Sequence, residues 1–124
     1  MRTKSSQRVI LRLRTVESRR RAVVHQLAQA TPLMIGSLSQ VHRQCGKPAC
    51  HCAEGTGHLQ AILMSVADGR RRCQLIRQAD LAAVSQAVAR YRAFREGLRE
   101  LSTLDSQALA LLKELMKLRH ERYD

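Results

Sequence analysis

Apolar residues recur every three or four positions in the first thirty residues of the chain. The recurring set is Val9, Leu13, Val16, Val23 and Leu27. This spacing is typical of one face of an α-helix. Ser5 or Ser6 can cap the start of the helix, and Thr31-Pro32 can end it. The pattern therefore predicts a helix over Ser6–Ala30.

Short apolar runs replace the helical spacing after Pro32. The segments with the length and composition of strands are Ile35–Gln44, Leu59–Ala67 and Arg70–Arg77. Asp68-Gly69 separates the last two, and both central residues of a type I′ hairpin turn need positive φ, which this pair tolerates. We predict a three-stranded antiparallel sheet. A sheet of this size is not stable alone, so a covering helix and a further stabilising element should contribute.

Helical spacing returns at Asp80, which can cap a helix. Its apolar positions are Leu81, Val84, Val88, Tyr91 and Leu98. Leu101–Asp105 predicts a break, followed by a second helix over 106–122. Two apolar stripes with a short connection predict an antiparallel helical hairpin. A spacing of seven residues is also compatible with a homodimer through the C-terminal helices. The residues with that spacing are Leu104, Leu111 and Leu118.

Together these elements predict an α+β chain. It comprises a basic N-terminal helix in 1–34, a small sheet in 35–78 and a helical hairpin in 79–124. Hydrophobic residues make up 44% of the 124 positions and aromatic residues only 2%, so the core should be modest and aliphatic. No run approaches the roughly eighteen apolar residues of a membrane span. We expect a cytoplasmic protein without a membrane partner.

Basic residues are in large excess and unevenly distributed. Lys and Arg number 22 against 10 acidic residues, a formal net charge of +12. Residues 1–30 hold eight basic residues and one acidic residue, whereas residues 91–124 hold seven and six. An arginine fork pairs with phosphate at two points and keeps its charge at any relevant pH. The excess predicts a nucleic-acid partner, with DNA favoured. The alternative is that these residues only solubilise exposed helix faces.

Candidate phosphate contacts fall in three regions. Arg70, Arg71 and Arg72 directly follow the predicted hairpin turn, and because strand residues alternate faces, at most two of them point the same way. Two further basic residues near the cysteines and three in the N-terminal helix complete the set. These are Arg43, Lys47, Arg12, Arg19 and Arg20.

Three of the four cysteines lie within eight residues, reading Cys-Gly-Lys-Pro-Ala-Cys-His-Cys over 45–52. Zinc binds four thiolate or imidazole ligands in a tetrahedron and often takes the first ones from a tight turn. Gly46 and Pro48 favour such a turn. Gly55-Thr56-Gly57 provides a second bend that can return His58 to the thiols. The segment predicts a zinc knuckle holding a structural Zn²⁺, with the ligands Cys45, Cys50, Cys52 and His58.

The fourth ligand is the least determined by spacing alone. His51, His42 and Cys73 compete with His58 for that position, and water in an open position is another alternative. Two further interpretations remain for the cluster as a whole, namely reduced thiols without metal and a thiol redox switch. Cys73 stands apart in sequence and is favoured as a small packed side chain.

The cysteine segment resembles the core of a known domain family. Gly36-Ser37-Leu38, the Cys-Gly-Lys-Pro-Ala-Cys-His-Cys run, His58 and the helical Ala-Arg-Tyr-Arg-Ala-Phe-Arg run are similar to an uncharacterised bacterial and archaeal family with a GSL…CGKPxCxC…HGP core. The resemblance covers 35–101 and implies the same four ligands. Family members are often found near transposase genes, which implies a recombinase or transposase partner. Leu59-Gln60-Ala61 departs from the pattern, because relatives have Gly-Pro and several aromatics there.

Recognisable catalytic motifs are absent from the sequence. It contains no P-loop, no dinucleotide-binding glycine fingerprint, no H-E-x-x-H and no acidic cluster suited to two-metal chemistry. We therefore expect a non-catalytic, zinc-binding protein that binds nucleic acid as an accessory factor of a mobile element. The alternative is an adaptor whose helical hairpin binds protein partners.

Overall fold

The chain adopts an α+β fold, as predicted. The computed structural model describes residues 2–29 and 31–124. Its helices and strands are α1 (Arg2–Leu27), β1 (Ser37–Arg43), β2 (His58–Ala67), β3 (Arg70–Ile76) and α2 (Leu81–Arg119). Short 3₁₀ turns span His51–Glu54 and Gln78–Asp80. The first helix thus begins before the predicted Ser6, and its predicted end at Ala30 lies outside the described residues.

The residues divide into two compact units. One consists of Met1–Ala30 with Phe94–Asp124, and the other of Thr31–Ala93. Helix α2 contributes its first part to the unit that contains the sheet and its remainder to the unit that contains α1.

The sheet has the predicted three antiparallel strands, in the order β1-β2-β3. Ser37 pairs with Met64 and Arg43 with His58 between the first two strands. The turn between β2 and β3 has φ of 53° at Asp68 and 76° at Gly69. Both values are positive, as a type I′ turn requires. This local pair of residues therefore sets the register of the hairpin.

The two faces of β2 differ in burial. Ala61 and Leu63 are buried on one face, whereas Met64 and Val66 are exposed on the other. The chain between α1 and β1 lies along the first part of α2. There the Met34 N–H donates a hydrogen bond to the Ala87 carbonyl (3.0 Å), and the Arg90 guanidinium donates to the Pro32 carbonyl.

The predicted C-terminal helical hairpin is not observed across the described residues 79–124. Instead, α2 runs without a break for 39 residues. The segment Leu101–Asp105 contains neither Gly nor Pro. The Thr103 hydroxyl donates to the Arg99 carbonyl (3.2 Å), and the Ser106 hydroxyl to the Ser102 carbonyl (3.1 Å). These side chains bond back within the helix instead of capping a new one.

Helix α1 takes the place of the second hairpin helix. Val9 packs with Leu111 and Leu115 in a buried cluster. The partly buried residues around it are Ile10, Leu13, Val16 and Leu118. Farther along α1, Arg19 and Arg20 pair with Glu100 and Asp105, which precede Leu111 and Leu115 on α2, so the two helices are antiparallel.

This packing bears on the predicted homodimer. Leu104 and Leu111 are buried, and Leu118 packs against the cluster formed with α1. The seven-residue stripe is thus part of the core within one chain, so it is not available to a second copy. Within the described residues, a homodimer through α2 would need another face of that helix.

Candidate metal centre

The cysteine segment connects β1 to β2 at one end of the sheet. Arg43 and His58 are the last and first residues of these strands, and they face each other in the register. Cys45 follows β1 by two residues, so the pairing of the strands brings Cys45 and His58 to the same end of the sheet. The other two thiols come from the loop between them.

Backbone hydrogen bonds shape that loop. The Cys50 N–H donates to the Lys47 carbonyl (3.1 Å), which closes a turn with Pro48 and Ala49 at its centre, directly after Gly46. The Ala53 N–H donates in turn to the Cys50 carbonyl (3.1 Å), within the 3₁₀ turn. Cys50 and Cys52 are therefore presented from a compact stretch of backbone, as the glycine and proline of the sequence predict.

The side chain of Gln44, the residue after β1, forms hydrogen bonds with the cysteine loop. Its side-chain amide donates to the carbonyls of Ala53 (3.3 Å) and Gly55 (3.2 Å). Sequence reasoning missed this residue, because nothing in its neighbourhood indicates that its amide reaches nine and eleven residues ahead.

Gly57 permits the second bend. Its φ is 92°, and a side chain there would overlap the backbone of Arg43 and Gln44. A residue with a β-carbon would meet both a strained φ and a steric clash. This glycine lets the chain pass close to the end of β1 immediately before His58.

The four predicted ligands come together in one cluster. The Sγ atoms of Cys45 and Cys52 are 3.4 Å apart, and Cys50 Sγ lies 3.3 Å from His58 Nε2. All four ligand atoms lie within 4.8 Å of one another. In a tetrahedral site with metal–sulfur bonds of about 2.3 Å, sulfur atoms are separated by about 3.8 Å. The arrangement is therefore compatible with a structural metal ion held by three thiolates and one imidazole.

The rival ligands make other contacts. His42 Nδ1 lies 3.4 Å from the Gly57 carbonyl, and the His51 ring meets the His58 ring edge-on, with centroids 6.0 Å apart. Cys73 is exposed on β3, which corrects the expectation that it is a small packed side chain. None of the three belongs to the cluster of four, so geometry favours His58 as the fourth ligand.

The thiols of the cluster differ in acidity. Cys45 has its pKa lowered to about 6, chiefly by a hydrogen bond from the Lys47 backbone and then by the Cys52 thiol and His58. The backbone N–H of Cys45 lowers the pKa of Cys52, but burial and the neighbouring thiols outweigh it and raise that pKa. If both Cys45 and Cys52 ionise, two negative charges lie close together. A metal cation between the sulfurs would compensate the second charge, because cysteines bind metal as thiolates.

Exposure of the ligands decreases toward Cys52. Cys52 is only 4% exposed, Cys50 is half-buried, and Cys45 and His58 are exposed. The centre thus lies near the surface with one sulfur anchored in the interior of its unit.

The hairpin arginines Arg70, Arg71 and Arg72 are exposed. The register places Arg70 opposite Ala67 and Arg72 opposite Ser65, on the face of β2 that includes Ala61. Arg71 pairs with Val66 on the other face. Arg43 and Lys47 are exposed near the cysteine cluster, and Arg12 is exposed on α1.

Arg19 and Arg20 form ion pairs with acidic side chains of α2. Arg19 Nε lies 2.6 Å from Glu100 Oε1, and a second nitrogen lies 3.0 Å from Oε2. Arg20 Nε lies 2.7 Å from Asp105 Oδ1. Both side chains remain about half exposed, at 55% for Arg19 and 46% for Arg20, so nucleic-acid contact by these residues stays a prediction.

No protein-family model, curated protein or solved structure matches the chain. The family resemblance of the Cys-Gly-Lys-Pro-Ala-Cys-His-Cys segment therefore rests on these residues alone. No helix in 2–29 or 31–124 is long and apolar enough to cross a membrane.

Proposed function

We propose that the protein is a zinc-binding module that binds nucleic acid, with the metal in a structural role. The observation that carries the proposal is the approach of three thiols and one imidazole to within 4.8 Å of one another. Zinc favours this ligand set and accepts tetrahedral geometry, whereas Ca²⁺ and Mg²⁺ prefer oxygen ligands.

Four protein ligands support a structural rather than a catalytic metal. A catalytic zinc normally keeps one position for water or substrate, and a full set of four side chains leaves none. Cys45 follows β1, His58 begins β2, and the remaining thiols come from the loop. Zinc bound there would hold both strands and the loop together, so its binding energy would contribute directly to folding.

The charge of the sheet-containing unit supports a nucleic-acid partner. Residues 31–93 contain eight basic and three acidic residues. Arg70 and Arg72 share one face, and both are exposed beside the turn. Such residues would neutralise phosphates and position the protein without reading base sequence. We favour double-stranded DNA as the partner.

A mobile element is the proposed setting. The similarity of the Cys-Gly-Lys-Pro-Ala-Cys-His-Cys segment to a family found near transposase genes supports this proposal. The protein would act there as a non-catalytic accessory factor, with a recombinase or transposase as its protein partner.

Salt dependence of DNA binding tests the nucleic-acid proposal. Each phosphate neutralised on B-DNA contributes about 0.9 to the slope of log K against log salt. We expect the double variant Arg70→Gln/Arg72→Gln to reduce the magnitude of this slope by about 1.8. The measurement is fluorescence anisotropy of a labelled duplex between about 50 and 200 mM salt.

The matched control is Arg119→Gln/Arg122→Gln, which removes the same charge from the balanced C-terminal region. It should leave the slope unchanged. Equal effects of the two double variants would show that only net charge matters, and absence of any salt dependence would remove the nucleic-acid proposal altogether.

A second candidate function is protein assembly through α2. Leu109, Leu112 and Met116 are exposed at helical spacing on this helix. Sedimentation velocity of the full chain over a range of concentrations tests it. A dimer lost in Leu109→Gln/Met116→Gln would support assembly through this face, and a monomer at all concentrations would exclude self-assembly.

A further inference from the structure

The sheet has a second apolar face, which the described residues 2–29 and 31–124 leave largely exposed. Val66 is 65% exposed, Leu75 is 52% exposed and Met64 is 42% exposed. The register pairs Met64 with Cys73 and Ile62 with Leu75, so these side chains share one face. We call this the open face. Its apolar members are Val41, Ile62, Met64, Val66, Cys73 and Leu75.

The sequence of β2 is typical of a strand that is buried on both faces. Antiparallel strands with one solvated face alternate apolar and polar residues, whereas strands buried on both faces read as continuous apolar runs. Residues 61–64 read Ala-Ile-Leu-Met without a polar interruption. Ala61 and Leu63 are buried, so the remaining apolar face is the one without a partner.

The charge around the open face determines what could cover it. Arg71 and Arg43 lie on this face at its two ends, as the register shows. None of the residues of β1, β2 and β3 is acidic. A second copy placed face to face would bring arginines together without any carboxylate of the sheet to pair with them, which is unfavourable.

The open face is equally unsuited to stacked nucleic-acid bases. Single-stranded nucleic acid binds sheets mainly through aromatic side chains on which bases stack. The strands contain no Phe, Tyr or Trp. An apolar surface with cationic ends and no aromatics instead complements a segment that is apolar in the middle and acidic at its edges.

The dimensions of the sheet fit one α-helix. Three strands at about 4.8 Å spacing give about 10 Å between the outer strands, close to the diameter of a helix. The stretch of β2 from Gln60 to Val66 is about 20 Å long, which corresponds to about 13 helical residues.

We propose that the open face docks an acidic amphipathic helix of a partner protein. The apolar stripe of that helix lies on Ile62, Met64, Val66 and Leu75. Its carboxylates meet Arg43 and Arg71. This inference goes beyond the proposed metal and nucleic-acid functions, because the apolar residues that carry it are neither ligands nor charged.

A synthetic helix tests the proposal on the full chain. The probe is a fluorescent peptide of about 14 residues with Leu at i, i+3, i+4 and i+7 and Glu on its flanks, cross-linked on its outer side because short helices are marginal in water. One control peptide replaces Glu by Lys, and another has the same composition without the apolar stripe. Affinity is measured by anisotropy.

The matched protein variants change shape little. Met64→Gln/Val66→Thr removes the exposed apolar groups, keeps the charge and retains side chains of similar size. The control variant is Leu11→Gln, an equally exposed apolar position on α1. We expect the double variant to raise the Kd for the acidic peptide by about tenfold or more, and Leu11→Gln to change it by less than about twofold. Both control peptides should bind at least about tenfold more weakly than the probe.

Several results would overturn the proposal. These are no binding of the acidic peptide, equal binding of the peptide without the stripe, equal affinity of the double variant and the parent protein, and a self-associated state that the double variant abolishes. A loss of duplex DNA affinity in the double variant would assign the open face to nucleic acid and overturn it too. Failure of the metal or DNA proposals leaves this measurement unaffected, because its substitutions preserve all charges and ligands.

Discussion

Gly57 is the residue on which the position of His58 depends most directly. The chain passes so close to the backbone of Arg43 that only glycine fits, and it does so at a positive φ. His58, one residue later, is the only imidazole in the cluster. A backbone displacement at Gly57 would therefore be transmitted to the metal centre.

We predict that Gly57→Ala weakens metal binding and destabilises the protein by about 1–3 kcal/mol, the range for a strained backbone position. The matched control is Gly55→Ala, since Gly55 has a φ of −132° and open space around it. Competition with a chromogenic chelator measures the metal affinity, and urea unfolding measures the stability. Similar behaviour of the two variants would contradict the role assigned to Gly57.

Metal-ligand chemistry could be predicted from sequence at this scale, and so could His58 as the fourth ligand, but spacing alone left His42 and His51 as rivals. Three cysteines within eight residues already indicate a metal site, because the ligand chemistry belongs to the side chains. Selecting His58 over His42 and His51 required the pairing of β1 with β2, which places His58 beside Cys50.

Helix α2 shows how packing determines the course of an element. Local sequence at Leu101–Asp105 contains several residues that often end helices, yet the helix continues. Leu104 is buried in the unit that also contains α1, and a helix of this length derives most of its stability from such packing.

Neighbouring leucines on α2 should respond differently to truncation. Leu111 is 7% exposed and Leu112 is 49% exposed. We predict that Leu111→Ala costs about 2–4 kcal/mol, the usual range for a buried leucine, and that Leu112→Ala costs less than about 1 kcal/mol. Urea unfolding followed by circular dichroism measures both. The reverse order would mean that the buried stripe has been assigned to the wrong face.

The bidentate pair of Arg19 with Glu100 joins the two helices and should respond to pH. The hydrogen bond from Arg19 lowers the pKa of Glu100, so the folded state binds this proton less readily than the unfolded state. The stabilisation is therefore present at neutral pH and is lost as pH falls from the ordinary glutamate pKa of about 4.3 through the lower folded value.

We accordingly expect Glu100→Gln to lower the melting temperature at pH 7 and low salt, and the difference from the parent protein to vanish in acid. Both side chains are partly exposed, so added salt should reduce the effect. The control variant is Glu114→Gln, an exposed carboxylate on the same helix. A difference that persists unchanged below pH 3 would contradict the ion-pair explanation.

Long-range pairing explains which elements the sequence could not predict. The Asp68-Gly69 turn was predictable because two adjacent residues determine it. The ion pairs of Arg19 and Arg20 could not be predicted, because their partners lie 81 and 85 residues away on α2. The continuity of α2 was missed for the same reason, since the buried face of its C-terminal part is defined by α1.

At the scale of the whole molecule, the two units differ in the charged groups and candidate metal ligands that they carry. Residues 31–93 contain the cysteine cluster, the exposed arginines of the hairpin and the open face of the sheet. In the other unit, two arginines of α1 are neutralised by carboxylates of α2. The 22 basic residues therefore include some that already pair with a carboxylate.

Metal content shows most directly whether the cysteine cluster holds a structural metal ion. The sheet has three strands, and a metal at its end would supply stability that so small a sheet lacks. The measurement is elemental mass spectrometry on protein purified without a metal-affinity tag, paired with a thermal melt before and after addition of a strong chelator. Cys73→Ser serves as the control for Cys52→Ser, since Cys73 lies outside the cluster.

We predict about one zinc per chain and a melting transition that the chelator lowers by on the order of 10 °C. Cys52→Ser should lose the metal, and Cys73→Ser should retain it. Protein that contains no metal and melts identically with and without chelator would show that the cysteine cluster does not hold a structural metal ion.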